Sequence, residues 1–296
     1  MSKDQIKHLI NRRLPEGGLV ETALKGVQLF RVTDPVPCVP AVYEPTVVAI
    51  VGGTKEAVLH GEHHVYDSSR YLLCPMTLPV EAGAPAASRD TPLLGVVISL
   101  EPRMMRELAM EIEAAAGGHR TSRGATPQAL ALASWDVGFT QALLRLLELL
   151  DNPVDTAVLG PGRLRELCYA VLMGEAGATA RRAFGVGNEI ARTIDYLSSH
   201  LGEPVTIDDM AEQVGMSRAV FHRRFKEATT MSPIQFVKSM RLNNAAMKIA
   251  EGKSVTEAAW DVGYTSTSQF SREFKRMYGQ SPRQWSHAAV APSRLM

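Results

Sequence analysis

The sequence predicts an α+β chain: an N-terminal antiparallel β-sandwich or barrel with flanking helices, followed by an all-α domain built on two helix-turn-helix units. Three observations carry this. Short β-rich runs alternate with turn residues from Gly26 to about Leu100. Helical spacing takes over after Glu101-Pro102. Beyond residue 186 the chain repeats itself at an offset of 48 to 49 residues. Charge changes at the same place, with 14 Lys or Arg against 11 Asp or Glu from Val186 onward and 18 against 20 before it. The predicted domains are therefore 1–185 and 186–296.

The first strand is expected at Val27–Val32, and Thr46–Val51, Glu56–His60, His64–Tyr66, Tyr71–Cys74 and Leu93–Leu100 follow. Between them lie Asp34-Pro35-Val36-Pro37, Gly52-Gly53, Gly61-Glu62 and Asp67-Ser68-Ser69, with a hairpin centred on Gly61-Glu62. Helices are expected at Met104–Ala116, Pro127–Leu150 and Pro161–Met173. The glycines Gly174, Gly177, Gly185 and Gly187 mark a linker.

Composition bounds the function. A chain of 296 residues with 45% hydrophobic content is long enough for two domains with their own cores. A net charge of +1 excludes coating of nucleic acid by bulk charge and leaves room for a local basic face. No apolar run approaches the roughly 18 residues needed to cross a bilayer, and the start has no signal-peptide core, so the expected location is the cytoplasm with no membrane partner. Cys38, Cys74 and Cys168 are widely spaced without a Cys-x-x-Cys, which points to free thiols.

The repeat carries the function. Ala211 to Ser217, Phe221, Phe225-Lys226 and Ser232-Pro233 return as Ala259 to Thr265, Phe270, Phe274-Lys275 and Ser281-Pro282. Thr206 with Asp209 and Ser254 with Glu257 have the spacing of capping boxes. Ala211 and Ala259 allow a close helix crossing, Gly215 and Gly263 suit the tight turn, and Ser217 and Thr265 are placed to cap the second helices. The paired phenylalanines face inward, so the opposite face points out. It carries Arg218, Ala219, His222, Arg223 and Lys226 in the first copy and Thr267, Ser268, Gln269, Arg272, Lys275 and Arg276 in the second. Short polar and Arg side chains flanked by cations suit a helix in the major groove.

These residues resemble the AraC/XylS family of bacterial transcription regulators. The match is most specific over Asp261 to Pro282 and looser in the first copy. The resemblance implies two helix-turn-helix units joined by a long helix at Pro233–Glu251. It places base-reading positions on Ala219, His222, Arg223, Thr267, Ser268, Gln269 and Arg272. Ala219 is smaller than in some relatives, which leaves it a thymine methyl to touch. The N-terminal half resembles the family's cupin-like N-terminal domain through Leu29–Asp34, Tyr43-Glu44-Pro45, Tyr71–Val80 and Pro161–Tyr169. The implied partners are double-stranded operator or promoter DNA, RNA polymerase, a small-molecule effector and a second copy of the chain.

Within the first half, Tyr43, Tyr71 and Cys74 are the expected polar handles for a ligand among apolar residues such as Val48, Ile50, Leu72 and Val97. His60, His63 and His64 flank the expected hairpin turn. His63 and His64 are adjacent and so point to opposite faces of a strand, which does not make a metal site, and no metal or other cofactor is expected. Cys38 or Cys74 would sense electrophiles only with a lowered pKa. The stripe Leu143, Leu146, Leu147 and Leu150 serves equally as a dimer seam or as a face packed on its own domain. No phosphate loop, nucleophile elbow or zinc-protease motif appears, so no enzyme activity is expected. The alternative is a cupin-type metal- or redox-sensing protein, or enzyme, with the DNA-binding module attached.

Overall fold

The computed structural model describes residues 2–116, 128–185 and 188–288. A helix, α1 (Ser2–Arg13), precedes nine strands: β1 (Gly18–Glu21), β2 (Val27–Val32), β3 (Val36–Tyr43), β4 (Thr46–Gly52), β5 (Thr54–Leu59), β6 (Glu62–Asp67), β7 (Arg70–Cys74), β8 (Leu78–Ala84) and β9 (Leu93–Ser99). After α2 (Pro102–Ala115) come β10 (Ala131–Ser134), α3 (Val137–Glu148), α4 (Pro153–Met173) and α5 (Gly177–Phe184). The remainder is helical: α6 (Glu189–Ser199), α7 (Ile207–Gln213), α8 (Arg218–Thr229), α9 (Pro233–Ala250), α10 (Val255–Asp261), α11 (Thr267–Tyr278) and α12 (Pro282–Ala288).

The strands form two antiparallel sheets, a six-stranded one ordered β1-β2-β9-β4-β7-β10 and a four-stranded one ordered β3-β8-β5-β6. Alternation along each strand sends side chains to two different cores. Phe30, Val48, Ile50, Leu72 and Cys74 of the large sheet meet Ala41, Tyr43, Ala57, Tyr66, Val80 and Ala82 of the small one. On its other face, the large sheet's Val27, Leu29, Val47, Ala49, Tyr71 and Val96 pack against α1, α3, α4 and α5.

Several expected elements take a different form. The hairpin turn is His60-Gly61, with φ of 50° and 83°, because Leu59 already pairs with Glu62. Two positive φ values are what a two-residue loop needs to match strand twist. The helix expected from Pro127 to Leu150 begins only at Val137, capped by Asp136, whose carboxylate accepts from Phe139 N at 2.7 Å. Ahead of it Ala131–Ser134 is a strand paired with β7, and Pro127 lies outside the described residues. The fourth helix starts eight residues before Pro161, where Asn152 caps it and Pro153 occupies the first turn. The expected linker contains α5, whose Ala180, Ala183 and Phe184 join the core between the large sheet and the helices. Leu143, Leu146 and Leu147 are fully buried in that core, so the leucine stripe packs on its own domain.

The two halves touch through α9, which lies across β3 and β8. Asn243, 1% exposed, fixes this contact. Its Nδ2 donates to Ala41 O and Val80 O, both at 2.8 Å, and its Oδ1 accepts from Tyr278 Oη at 2.7 Å. One side chain thus ties the small sheet to the end of α11. Among the described residues no helix is long and apolar enough to cross a membrane.

Candidate nucleic-acid interface and sandwich interior

Each helix pair is built from local signals. Thr206 Oγ1 accepts from Asp209 N at 3.1 Å while Asp209 Oδ2 accepts from Thr206 N at 3.2 Å, closing the capping box of α7. Ser254 and Glu257 do the same for α10, each bond 3.2 Å long. Ser232 with Gln235 and Ser281 with Gln284 repeat the device at α9 and α12. The turns pass through Gly215 at φ 64° and Gly263 at φ 84°. At Gly263 a Cβ would also lie 2.7 Å from Leu201 O, so two constraints select glycine.

Ser217 caps α8, accepting from Val220 N at 3.4 Å. In the second copy Ser266 is the cap, accepting from Gln269 N at 3.2 Å, and Thr265 is not. The residue inserted in the second turn moves the cap one place along, so the repeat offset is 49 from the cap onward.

Phe221 and Phe225 of α8, and Phe270 and Phe274 of α11, are fully buried. Phe225 meets Phe236 of α9 edge-on at 5.2 Å, and Phe274 meets Trp285 of α12 at 5.9 Å. Burial of one face fixes the other outward. Arg218, Ala219, His222, Arg223 and Lys226 are all exposed on α8, as are Thr267, Ser268, Gln269, Arg272, Lys275 and Arg276 on α11. Arg218 pairs with Asp208 at 3.2 Å, and Arg223 lies 4.0 Å from Glu227 one turn on. Both are surface pairs of little worth, readily exchanged for a phosphate or base. Arg224, also exposed, adds a cation on the flank of α8 that the repeat pattern did not single out. Glu273 faces inward, taking Tyr264 Oη at 2.9 Å and Lys238 Nζ at 3.0 Å, which sets the seat of α11 against α9.

The expected ligand handles do not converge. Tyr43 and Cys74 line the space between the sheets, whereas Tyr71 lies on the opposite face of the large sheet, stacked on Phe139 at 4.2 Å. Residues 71 and 74 of one strand are an odd number apart, so their side chains take opposite faces. The sequence reading missed two groups that do face the inter-sheet space. Lys55, 5% exposed, sits with Nζ 5.7 Å from the Phe30 ring centroid, and Tyr66 pairs with it across β5 and β6. Tyr43 Oη and Tyr66 Oη are buried with only each other as a polar neighbour, short of full hydrogen-bond geometry, and His64 Nε2 is buried without a hydrogen-bond partner. The visible signal for Lys55 was its place two residues before Ala57 and four before Leu59 on an alternating strand.

Burial holds the Lys55 ammonium down at about 8 instead of 10.5. The unfolded chain therefore binds this proton more tightly than the folded one, so stability should rise as pH climbs from about 8 to 10.5. Thermal unfolding across that range should show the rise. Lys55→Met should flatten it and raise the melting temperature at pH 7, because a buried ammonium that faces the Phe30 ring and no carboxylate is replaced by an apolar chain.

No thiol is activated. Burial pushes Cys74 and Cys168 up to about 12, and Cys38 is raised by burial and by the neighbouring Glu56 and Glu81 carboxylates. That removes the condition for electrophile sensing. His63 and His64 pair with Val58 and Ala57 on successive strand positions and point apart, and the described residues contain no group of three metal-ligating side chains.

The profile of the AraC-type transcriptional regulator N-terminus matches residues 23–179, more than half of the chain. The chain belongs to the AraC-type transcriptional regulators. A helix-turn-helix domain profile matches residues 210–288, over the two helix pairs just described. Two curated relatives are 28% identical. The regulator YkgA of Escherichia coli matches over 114 residues, 36% of this chain and 48% of its own. SoxS of Salmonella typhimurium matches over 99 residues, 33% of this chain and 92% of its own. The chain thus spans about half the length of the first of these. Across the whole fold it is similar to ToxT of Vibrio cholerae, solved with an unsaturated fatty acid bound, at a TM-score of 0.55 and 11% identity over 94% of this chain and 98% of that one.

Proposed function

We propose that residues 186–296 read an operator through α8 and α11 in successive major grooves, and that residues 1–185 form a module that answers a small-molecule effector. The observation that carries this is the doubled surface: two helices, each anchored by two buried phenylalanines, present eleven exposed residues of the kind that contact DNA. Arg223 and Arg272 supply bidentate contacts to guanine, and His222, Thr267, Ser268 and Gln269 reach neighbouring base edges. Arg218, Lys226, Lys275 and Arg276 hold phosphates, and Ala219 lies against a thymine methyl. The effector reading is supported by the buried Tyr43 and Tyr66 hydroxyls, which have only each other as polar neighbours beside Lys55 in an apolar interior, and by the ligand held by ToxT. The exposed Val154, Val158, Tyr169 and Met173 along one face of α4 suit a second copy of the chain, and RNA polymerase is the further partner of a promoter-bound regulator. The activity is regulation of transcription rather than catalysis.

The test begins with an operator selected from random oligonucleotides by the full chain. Arg223→Ala and Arg272→Ala should each weaken binding to it by about 1–3 kcal/mol and relax preference at adjacent bases. Lys226→Ala and Lys275→Ala should weaken selected and random DNA alike. Equal losses on both DNAs for the two arginine variants would reduce them to backbone contacts.

A further inference from the structure

The space between the two sheets holds a nucleophile that DNA binding does not use. Lys55 is buried and, among the described residues, makes neither a hydrogen bond nor an ion pair; its ammonium faces the Phe30 ring. Register sets its neighbours. Lys55 opposes Tyr66 across β5 and β6, and Ala57 opposes His64. Residues two apart on a strand share a face, so Lys55, Tyr66 and His64 all turn inward, the diagonal pair Lys55 and His64 about 7–8 Å apart. Tyr43 of β3 completes the group, its hydroxyl beside that of Tyr66. Buried polar groups normally find partners, yet His64 Nε2 has none and the two hydroxyls have only each other. The amine is also chemically ready. Burial that holds it at about 8 leaves about one molecule in ten with a free amine at pH 7, far more than an ordinary lysine offers.

We propose that Lys55 captures a small aldehyde covalently, as an imine. The Nζ lone pair adds to the carbonyl carbon and a proton passes from nitrogen to the carbonyl oxygen, giving a carbinolamine. Its hydroxyl then leaves as water while the nitrogen gives up its remaining proton and forms the C=N bond. Amine and aldehyde become imine and one water, with no oxidant or reductant. Tyr66, kept protonated by burial and placed across the strand pair, donates to the departing oxygen and recovers its proton from the nitrogen. A neutral imine removes the buried ammonium while the aldehyde's alkyl chain joins the apolar interior. Strand β6 is the outer edge of the small sheet, so a molecule of a few carbons reaches Lys55 by displacing a single strand. An effect on DNA binding rests on the effector reading above; the imine itself does not.

The probe is butanal, added to the full chain at pH 7 with cyanoborohydride to reduce the imine to a stable secondary amine, and the labelled lysine is located by peptide mass spectrometry. Lys55 should be labelled roughly 10- to 100-fold faster than exposed lysines such as Lys25 and Lys226, and the advantage should vanish in guanidinium, where the fold that creates it is lost. Without the reductant, butanal should raise the melting temperature of the wild-type chain and leave that of Lys55→Met unchanged. Labelling spread evenly over the lysines, or a preference for Lys55 that persists in guanidinium, would overturn the proposal. So would butanoate raising the melting temperature as much as butanal, because Lys55 would then be an ion-pair partner for an acid. Operator binding by the same proteins separates the two readings. No preference for Lys55 in a chain that binds its operator rejects the imine alone, whereas Lys55 labelling that leaves operator affinity unchanged keeps the imine and rejects the sandwich as a module that answers aldehydes.

Discussion

Phe274→Ala should abolish operator binding while leaving the β-sandwich folded. Phe274 is fully buried and lies within 6 Å of three aromatic rings, with centroids 5.4 Å from Phe270, 4.7 Å from Tyr278 and 5.9 Å from Trp285. The buried core beneath α11 has ten residues among those described, four of them alanines, so little can move in to fill the hole. A Phe→Ala change in such a place costs about 3–5 kcal/mol, which rivals the whole stability of a small helical unit. Far-ultraviolet dichroism would register a partial loss of helix, and the strand signal should persist. Met277→Ala, on the exposed side of the same helix, should shift stability by no more than about 0.5 kcal/mol and serves as the control. A Phe274→Ala protein that still binds its operator at wild-type affinity would mean that α11 is held by something other than its aromatic core.

Asn243→Ala should separate the two halves thermally. The wild-type side chain satisfies two backbone carbonyls of the small sheet and the Tyr278 hydroxyl at once. Its removal leaves three groups short of a partner in a site 1% exposed, at about 1–3 kcal/mol for each that stays dry. The expected calorimetric result is one cooperative transition in the wild-type chain and two in the variant, the first belonging to the helical half. Tyr278→Phe breaks only the last of the three bonds and should cost about 1 kcal/mol without splitting the transition. If Asn243→Ala melts as one unit at the wild-type temperature, the contact between α9 and the small sheet does not couple the halves.

The elements legible in the sequence are those whose local signals agree with their tertiary setting. The second strand was bounded at Val27 and Val32 as expected, and the capping boxes at Thr206 and Ser254, the glycine turns and the paired phenylalanines all lie where their spacing placed them. The misread strands share a cause, sheet pairing that outweighs the local signal. Ala131–Ser134 has the composition of a helix but completes the edge of the large sheet beside β7, so pairing overrides propensity. The third strand contains Pro37 and Pro40, which read as a turn. It is tolerated because it is an edge strand with a bulge between Val36 and Val39. Its neighbour β8 was hidden by Pro79 and Gly83, yet a Cβ at Gly83 would come within 2.7 Å of the Cys38 nitrogen, so the glycine is what lets the strands approach. Lys55 and Asn243 were invisible for a different reason. Each owes its role to residues far along the chain, Asn243 to strands more than 160 residues away, and nothing local marks a polar side chain as buried.

In the proposed reading one chain carries two DNA-reading helices, α8 and α11. Hydroxyl-radical footprinting of the full-length protein on its selected operator tests it most directly. Two heads held by α9, an 18-residue helix, should protect two tracts on one face of the duplex with centres about 10 base pairs apart. Arg272→Ala should weaken one tract and Arg223→Ala the other. A single protected groove in the wild-type protein, weakened by only one of the two substitutions, would contradict the account.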